Sequence, residues 1–445
     1  MPAAAAAALE ALESAGYESY VVGGCVRDSL LGRTPHDWDL CTAAPPEQVE
    51  AVFAGQRVLE TGLKHGTVTL LTEEGPLEIT TFRSDGPCSD GRHPDTVSFV
   101  RDIHEDLRRR DFTVNAMAWS PRRGLRDDFG GREDLNRGRI RCVGDPHARF
   151  EEDALRILRA LRFAARYGFA IEPATAAAVW EDREKLARIS PERVFSELKG
   201  ILCGAGAGEM LRAFPDVIFT VLPELAPCQG FDQRMPRHHP YDVWEHITRT
   251  VDAVPPEEIL RLTMLFHDSG KPASFSLDPE TGEGHFYGHP EIGAQIADEA
   301  LRRLRCDTAT REAVTALVAC HDFRSNGSKK AVRRLLARLG EVNLRRLRLV
   351  TLADAAAHTP ETERRMIARA EETGALLEEI LAEKPSRTTE DLAIGGADLL
   401  ELGMAPGPAI GKLLRELLED VWDEKTPNER EALLRRAREW KEKTI

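Results

Sequence analysis

No stretch of this 445-residue chain approaches the run of roughly 18 apolar residues that a membrane span needs. Also missing is any C-x-x-C pair, since the eight cysteines stand apart at 25, 41, 88, 142, 203, 228, 306 and 320. Such scatter offers no disulfide framework, and buried thiols in a reduced, cytoplasmic chain are the expectation. The start, MPAAAAAALEALE, lacks the basic residues of a targeting peptide and reads as a helix. Apart from those alanines, no repeat or low-complexity tract stands out. Positive charge is short as well: the formal net charge is −14, which on its face disfavours a polyanionic partner. The shortage is uneven. Residues 101–167 carry 16 Arg and no Lys against 12 Asp plus Glu, so a local surplus can face phosphates while the rest stays acidic.

What is present suits a globular protein with exposed helices, at 42% hydrophobic and 30% charged residues. A chain this long calls for two to four domains. "SYVVGG", "HGTVTLLT", "PLEITTFR" and "RIRCVG" read as strands among turn signals such as "TEEGP". From about residue 148 the hydrophobic period becomes helical almost to the end. "ISPERVFSELKGIL" opens a helix, with Ser190 as N-cap and Pro191 at the first helical position. "DQRMPRHHPYD" and "AEKPSRTTED" read as joints. The expected fold class is α+β: a small mixed-sheet head (1–145), an extended all-α neck (146–230), a His-rich helical domain (231–360) and a helical tail (361–445).

In the head, "VVGGCVRDSLLGRTPHDWDL" (21–40) joins a glycine turn to two carboxylates. Asp37 and Asp39 have the period-two spacing of a strand, which turns both to one face. Paired oxygen ligands of this kind suit Mg²⁺, which takes one or two carboxylates plus phosphate oxygens and water. Glu78 in "LEIT" supplies a third carboxylate if its strand lies alongside. Gly23 and Gly24 let the backbone approach a triphosphate, and Arg27 is placed to neutralise it. Taken singly, these features are matched by a plain tight turn and a solvated strand end.

They do not occur singly. "RRDFTVNA" (109–116), "DFGGREDL" (128–135), "EEDALRILRALRFAARYGF" (151–169) and "SPERVFSEL" follow in order. With the glycine turn and D-W-D, they resemble the five ordered motifs of class II tRNA nucleotidyltransferases of bacterial type, which bacterial poly(A) polymerases share. The resemblance implies template-independent addition of C, C and A to tRNA 3′ ends from CTP and ATP. Asp37, Asp39 and Glu78 are then catalytic, with Asp37 and Asp39 holding magnesium at the α-phosphate. Gly23, Gly24, Arg27, Arg109, Arg110 and Asp111 serve the triphosphate and ribose.

Within 152–167, Leu155, Leu158, Leu161 and Ala165 form an apolar stripe, while Asp153, Arg156, Arg159, Arg162 and Arg166 recur on another face. By composition alone this is a solvated amphipathic helix with Asp153 paired to Arg156. In the family, the matching Asp and Arg read the base edge. Asp153 only accepts, and so takes the exocyclic amino group of C or A; Arg156 only donates, and so reaches the ring acceptors. Guanine and uracil present the opposite pattern, and each buried unpaired group costs about 1–3 kcal/mol. Arg159 and Arg162 contact phosphate or orient the pair. The polar loop 82–99, with Arg83, Asp85 and Arg92, matches a flexible segment that partial, CC-adding relatives tend to lack, which favours full CCA addition; an ordinary surface connection is the alternative.

Farther on, His246, His267-Asp268, His289, His321 and Asp354 occur in an order that resembles the HD superfamily of metal-dependent phosphohydrolases. His246, His267, Asp268 and Asp354 would form one site for Mn²⁺, Ni²⁺ or Fe²⁺, and His289 and His321 complete a second. Relatives with this domain act on 2′,3′-cyclic or 2′-phosphate ends; an RNA-binding scaffold is the alternative. In the tail, glycines at 395, 396, 403, 407 and 411 open helices whose N–H groups suit phosphate, and the matching tail of relatives grips tRNA. The implied partners are tRNA, CTP and ATP, with no membrane; oligomeric state carries no sequence signal. Rival readings are a poly(A) polymerase, a CC-only or A-only enzyme, and an RNA-binding module without chemistry.

Overall fold

The alanine-rich start folds as the helix Ala3–Ser14 because alanine loses no side-chain entropy there; Ala5, Ala8, Leu9 and Leu12 form its buried stripe. After it come strands β1 (Ser19–Val22), β2 (Leu40–Thr42), β3 (Val58–Gly62), β4 (Thr67–Thr72), β5 (Gly75–Thr81), β6 (Arg83–Asp85), β7 (Val97–Phe99), β8 (Ala118–Ser120) and β9 (Gly124–Arg126). Seven of them share one sheet in the order β3-β4-β5-β2-β1-β8-β9, while β6 and β7 pair separately. The sheet is mixed: β2 runs parallel to β5, and its other neighbouring strands pair antiparallel. Under it, Tyr20, Val22, Phe82, Ile103 and Leu107 are buried together. In β5, Leu77, Ile79 and Thr81 point inward, so the two-residue period leaves Glu78 exposed on the opposite face.

The computed structural model describes residues 1–86, 96–235, 237–383 and 388–444. Two compact units emerge, Met1–Ala226 with Arg303–Cys306, and Pro227–Arg302 with Asp307–Ile445. Their architecture is α+β, with the main sheet in the first unit.

Three local expectations need correction. Asp37 and Asp39 precede β2 and do not lie in it, although the Asp39 carbonyl accepts the Val22 N–H at 3.0 Å and so continues the strand's approach. Of "RIRCVG", only Arg139–Ile140 is a strand; it pairs in parallel with Ala170–Ile171 outside the main sheet. The stretch 151–169 is not one helix. Pro146–Glu152 stops, Asp153 turns extended (φ −150°, ψ 102°), and Leu155–Tyr167 begins. The Asp153 carboxylate accepts the Leu155 N–H at 3.0 Å, a side-chain bond that competes with helix continuation. Leu155, Leu158, Leu161 and Ala165 are buried as their spacing requires. Pro191–Leu202 starts at Ser190 as expected, but the Ser190 side chain makes no capping bond.

In the second unit, helices Val243–Ala253, Glu258–Phe266, Thr308–Val318 and Lys329–Ala355 surround the histidines, with a hairpin Phe275–Leu277/Gly284–Phe286 beside them. Lys329–Ala355 is kinked at Gly340, whose φ of 72° only glycine adopts readily. Pro360–Ala382 packs along it. The tail has its own small core around Leu399, Leu413, Leu417, Leu433 and Trp440. The Gly395 N–H is already taken by Asp398 at 2.8 Å, so that helix start is capped from within. Of the seven cysteines among the described residues, all but Cys203 are buried.

Candidate functional site

Asp37, Asp39 and Glu78 line one open cavity of about 1040 Å³, shared with Arg33, His36 and Trp38. β5 lies parallel to β2 with Ile79 opposite Leu40, and this register carries Glu78 beside the approach to β2. None of the three carboxylates has a hydrogen-bond or ion-pair partner among the described residues. Burial pushes the Asp39 carboxyl above its ordinary value, and the charges of Glu78 and Asp37 add to this against the opposing pull of Arg110. Three unpaired oxygen donors that repel one another are the donor set a hard divalent cation relieves.

Beside the cavity, Gly23 has φ 77° and caps the helix Gly24–Leu30. That left-handed φ favours glycine, and a Cβ there would also sit 2.9 Å from Arg110 Nη1, so the guanidinium would have to shift. Arg110 Nη2 donates to Asp106 at 3.2 Å, and Arg109 Nη2 does so at 2.8 Å. Burial alone would raise the Asp106 carboxyl; the Arg110 and Arg109 guanidiniums outweigh it and hold the group below its ordinary value. Arg27, in contrast, is buried: it bonds Asn115 and Asp28 and stacks over Phe163 and Tyr167. Asp111 is buried too, accepting from Phe112 N at 2.8 Å and from Asn115 at 3.0 Å. Its second oxygen takes two bonds from Arg159, at 2.9 and 2.6 Å.

The arginine stripe is neutralised from outside its helix. Arg162 donates to Glu197, and Arg159 lies 4.0 Å from the same carboxylate. Asp153 pairs with Arg193 at 2.8 Å and not with Arg156. Arg156 instead donates to Glu152 at 2.6 Å and to the carbonyls of Arg149 and Arg109. Arg193 and Glu197 stand four residues apart in "SPERVFSEL"; that spacing was visible in the chain, their partners were not. Of the loop residues, Arg83 and Asp85 lie in the β6–β7 ladder, where Arg83 faces Phe99 and Asp85 faces Val97. Arg92 lies outside the described residues.

In the second unit the histidine series converges. His246 Nε2 lies 3.2 Å from His267 Nε2, 3.3 Å from Asp268 and 3.0 Å from Asp354. His289 Nε2 lies 3.2 Å from His321 Nε2, and both approach the other Asp268 oxygen, at 3.5 and 3.6 Å. Asp268 thus stands between two ligand sets. Each outer nitrogen is turned to a backbone carbonyl: Nδ1 of His267, His289 and His321 at 2.8 Å to Met264, Phe286 and Val318, and that of His246 at 3.4 Å to Ala357. These contacts orient each ring so that its Nε2 points inward. Burial lowers His289 to about 4, leaving it neutral and able to ligate. Burial would also lower His321, but the Asp268 carboxylate outweighs it and raises the group. Lone pairs this close, with buried Asp354 Oδ1 lacking a hydrogen bond, fit a pair of transition-metal ions. His239 and His358 gather with His246 closely enough to hold a metal ion as well, a grouping that "HHP" and "AAAH" in the chain did not by themselves single out.

Residues 19–141 match the family described as "Poly A polymerase head domain", 168–227 that described as "Probable RNA and SrmB- binding site of polymerase A", and 291–437 the second domain of tRNA nucleotidyltransferases. The CCA-adding enzyme of Levilactobacillus brevis is 34% identical over 428 residues, covering 96% of this chain and 95% of that one. The Bacillus stearothermophilus CCA-adding enzyme, solved in complex with CTP, is 29% identical with a TM-score of 0.72, over 99% of this chain and 97% of that one. The Thermotoga maritima CCA-adding enzyme complexed with tRNA shares the fold, with a TM-score of 0.62 at 23% identity over 98% and 94%.

Proposed function

The chain belongs to the CCA-adding family of tRNA nucleotidyltransferases, and we propose that it selects each nucleotide with Asp153 and Arg156 beside the carboxylates Asp37, Asp39 and Glu78. It adds C, C and A to the tRNA 3′ end from CTP and ATP without a template. The observation that carries the head assignment is the set of three unpartnered carboxylates in one cavity. They hold magnesium, which when bound favours ionisation of the RNA 3′-hydroxyl and offsets charge on departing pyrophosphate.

Gly23 admits the triphosphate to the backbone, and Arg110, next to it, faces the same charge. Arg27 serves from below, as a buried support of the Gly24–Leu30 helix. Asp153 and Arg156 keep spare capacity despite their partners. A carboxylate has about four acceptor positions and a guanidinium five donors, and the Arg193, Leu155, Glu152 and carbonyl bonds leave some of each open. Those bonds fix both side chains before a base arrives, while the Asp111–Arg159 and Glu197–Arg162 pairs hold the helix itself. Incubating the protein with tRNA lacking its end and each labelled nucleotide singly tests this reading. C, C and A with a stop at three is expected. Long A tracts would favour the poly(A) reading that the head-domain match keeps in view, and no transfer would leave an RNA-binding module.

The second unit carries a two-ion HD centre for Mn²⁺, Ni²⁺ or Fe²⁺, held by His246, His267, Asp268, His289, His321 and Asp354, with phosphohydrolase activity. Phosphate release from 2′,3′-cyclic AMP with added Ni²⁺ or Mn²⁺ tests it; silence there with metal bound would leave a scaffold. The tail grips the tRNA body, and the working compartment is the cytoplasm.

A further inference from the structure

The cavity above the HD ligands has a volume of about 430 Å³ and is lined by Asp268, His289, His321 and Asp354. Thr362, Arg365, Met366 and Arg369 close it from one side. All four belong to the helix Pro360–Ala382, which the chain pattern places in the tail. Arg365 and Arg369 are four residues apart and therefore share a face of that helix.

Charge balance separates these two arginines from the other cations lining the cavity. Lys271 is buried on Asp268 at 2.6 Å and on Gln233 at 2.8 Å. Arg324 pairs with Asp322 at 3.1 Å. Arg365 donates to Thr362 Oγ1 at 3.2 Å and approaches His238 Nδ1 at 3.4 Å, neither of them a carboxylate. Among the described residues no carboxylate pairs with Arg365 or Arg369. Two unpaired guanidiniums beside a divalent-cation centre make a site for an oxyanion, and their planar forks match phosphate.

We propose that Arg365 and Arg369 form an anion clamp that seats a terminal phosphate of a nucleotide, free or at a strand end, over the HD centre. This rests on the HD reading given above and adds to it the residues that choose the ligand. The cavity volume lies in the range of single-ligand pockets, which suits one nucleotide and not a duplex. Tyr287, 78% exposed at the cavity wall beside Phe286, offers a ring for the base.

The full-length protein loaded with Mn²⁺ is titrated with orthophosphate, which cannot be hydrolysed further. Adenosine 3′-monophosphate and a 3′-phosphorylated RNA trimer then serve as competitors, and adenosine as the phosphate-free control. In Arg365→Ala/Arg369→Ala, bound manganese is expected to stay at the wild-type level while orthophosphate affinity falls about 30-fold or more. Adenosine affinity should not move. A loss of competition by the trimer alone assigns the clamp to strand ends, and by the mononucleotide alone to free nucleotides. Unchanged orthophosphate affinity with manganese retained overturns the clamp. Failure of the wild type to bind manganese overturns the HD reading beneath it. If the double variant sheds its metal, Arg365→Gln and Arg369→Gln taken singly decide by the same criterion.

Discussion

Asp111 gives one oxygen to Phe112 N and Asn115 and the other to Arg159. Burial alone would raise its carboxyl; Arg159, Asn115 and Arg156 outweigh that and hold it far below the ordinary range. A depressed folded-state value means that the unfolded chain binds more protons at low pH. The stabilisation is therefore full above the unfolded value of about 3.9 and is lost as pH falls toward the folded one. Asp111→Asn is expected to cost about 3 kcal/mol at neutral pH, with the gap to wild type closing below about pH 4. Denaturant titrations at several pH values check this, and a gap still open at acid pH would refute it. Asp39 behaves in the opposite way, because burial raises it and the charges of Glu78 and Asp37 add to that. Asp39→Ala should cut CMP transfer by on the order of 10³-fold while leaving the unfolding midpoint unchanged or raised. Undiminished transfer would remove the carboxylate cluster from the chemistry. The residue types at both positions were readable in the chain, but the sign of each shift was not, since it depends on which charges the fold brings near.

At the scale of elements, the break at Asp153 and the turn at Gly23 matter most. Asp153 sits between two helices, anchored by Leu155 N and by Arg193 from the helix Pro191–Leu202. Arg193→Ala removes one anchor without changing Asp153 or Arg156, the pair proposed to read the base. Discrimination of CTP from UTP should then fall about tenfold, through the loss of one charged hydrogen bond, with Asp153 itself intact; single-nucleotide incorporation ratios measure it. If the ratio holds, Arg193 does not position the reader. Gly23→Ala meets both a positive φ and the Arg110 guanidinium at 2.9 Å. Strain of about 1–3 kcal/mol should appear as roughly a tenfold or greater loss of CTP use, and an unaffected rate would show that the turn yields. Helical period alone predicted one continuous helix here, because periodicity registers apolar spacing and is blind to a side chain that takes a backbone N–H.

For the whole molecule, the clustered histidines and aspartates come from distant parts of the second unit, from His246 to Asp354. Metal bound to such a set stabilises the fold of that unit directly. Removing transition metal with a chelator should lower its melting temperature by several degrees, about what 1–2 kcal/mol of lost binding produces at this size. Nucleotide addition should return on adding Mg²⁺ alone. A melting curve indifferent to chelation would argue against the centre. The described helices include none long and apolar enough to cross a membrane.

Residue types, their order and the apolar periods were enough, by themselves, to point to a mixed-sheet head, a helical remainder, the Asp37–Asp39 pair and the histidine series, while the place of Glu78 depended on how its strand lies. The elements are carried by local spacing, and the candidate residues by the order of their motifs, both of which the chain displays directly. Partner choice was decided only in three dimensions. Asp153 met Arg193 and not Arg156, Arg27 turned inward to Asn115, and Arg365 and Arg369 came to the HD cavity from a helix assigned to the tail. With sixteen arginines between 101 and 167, many pairings have similar Coulomb energy along the chain. Burial and backbone register select among them, and both exist only once distant segments have packed.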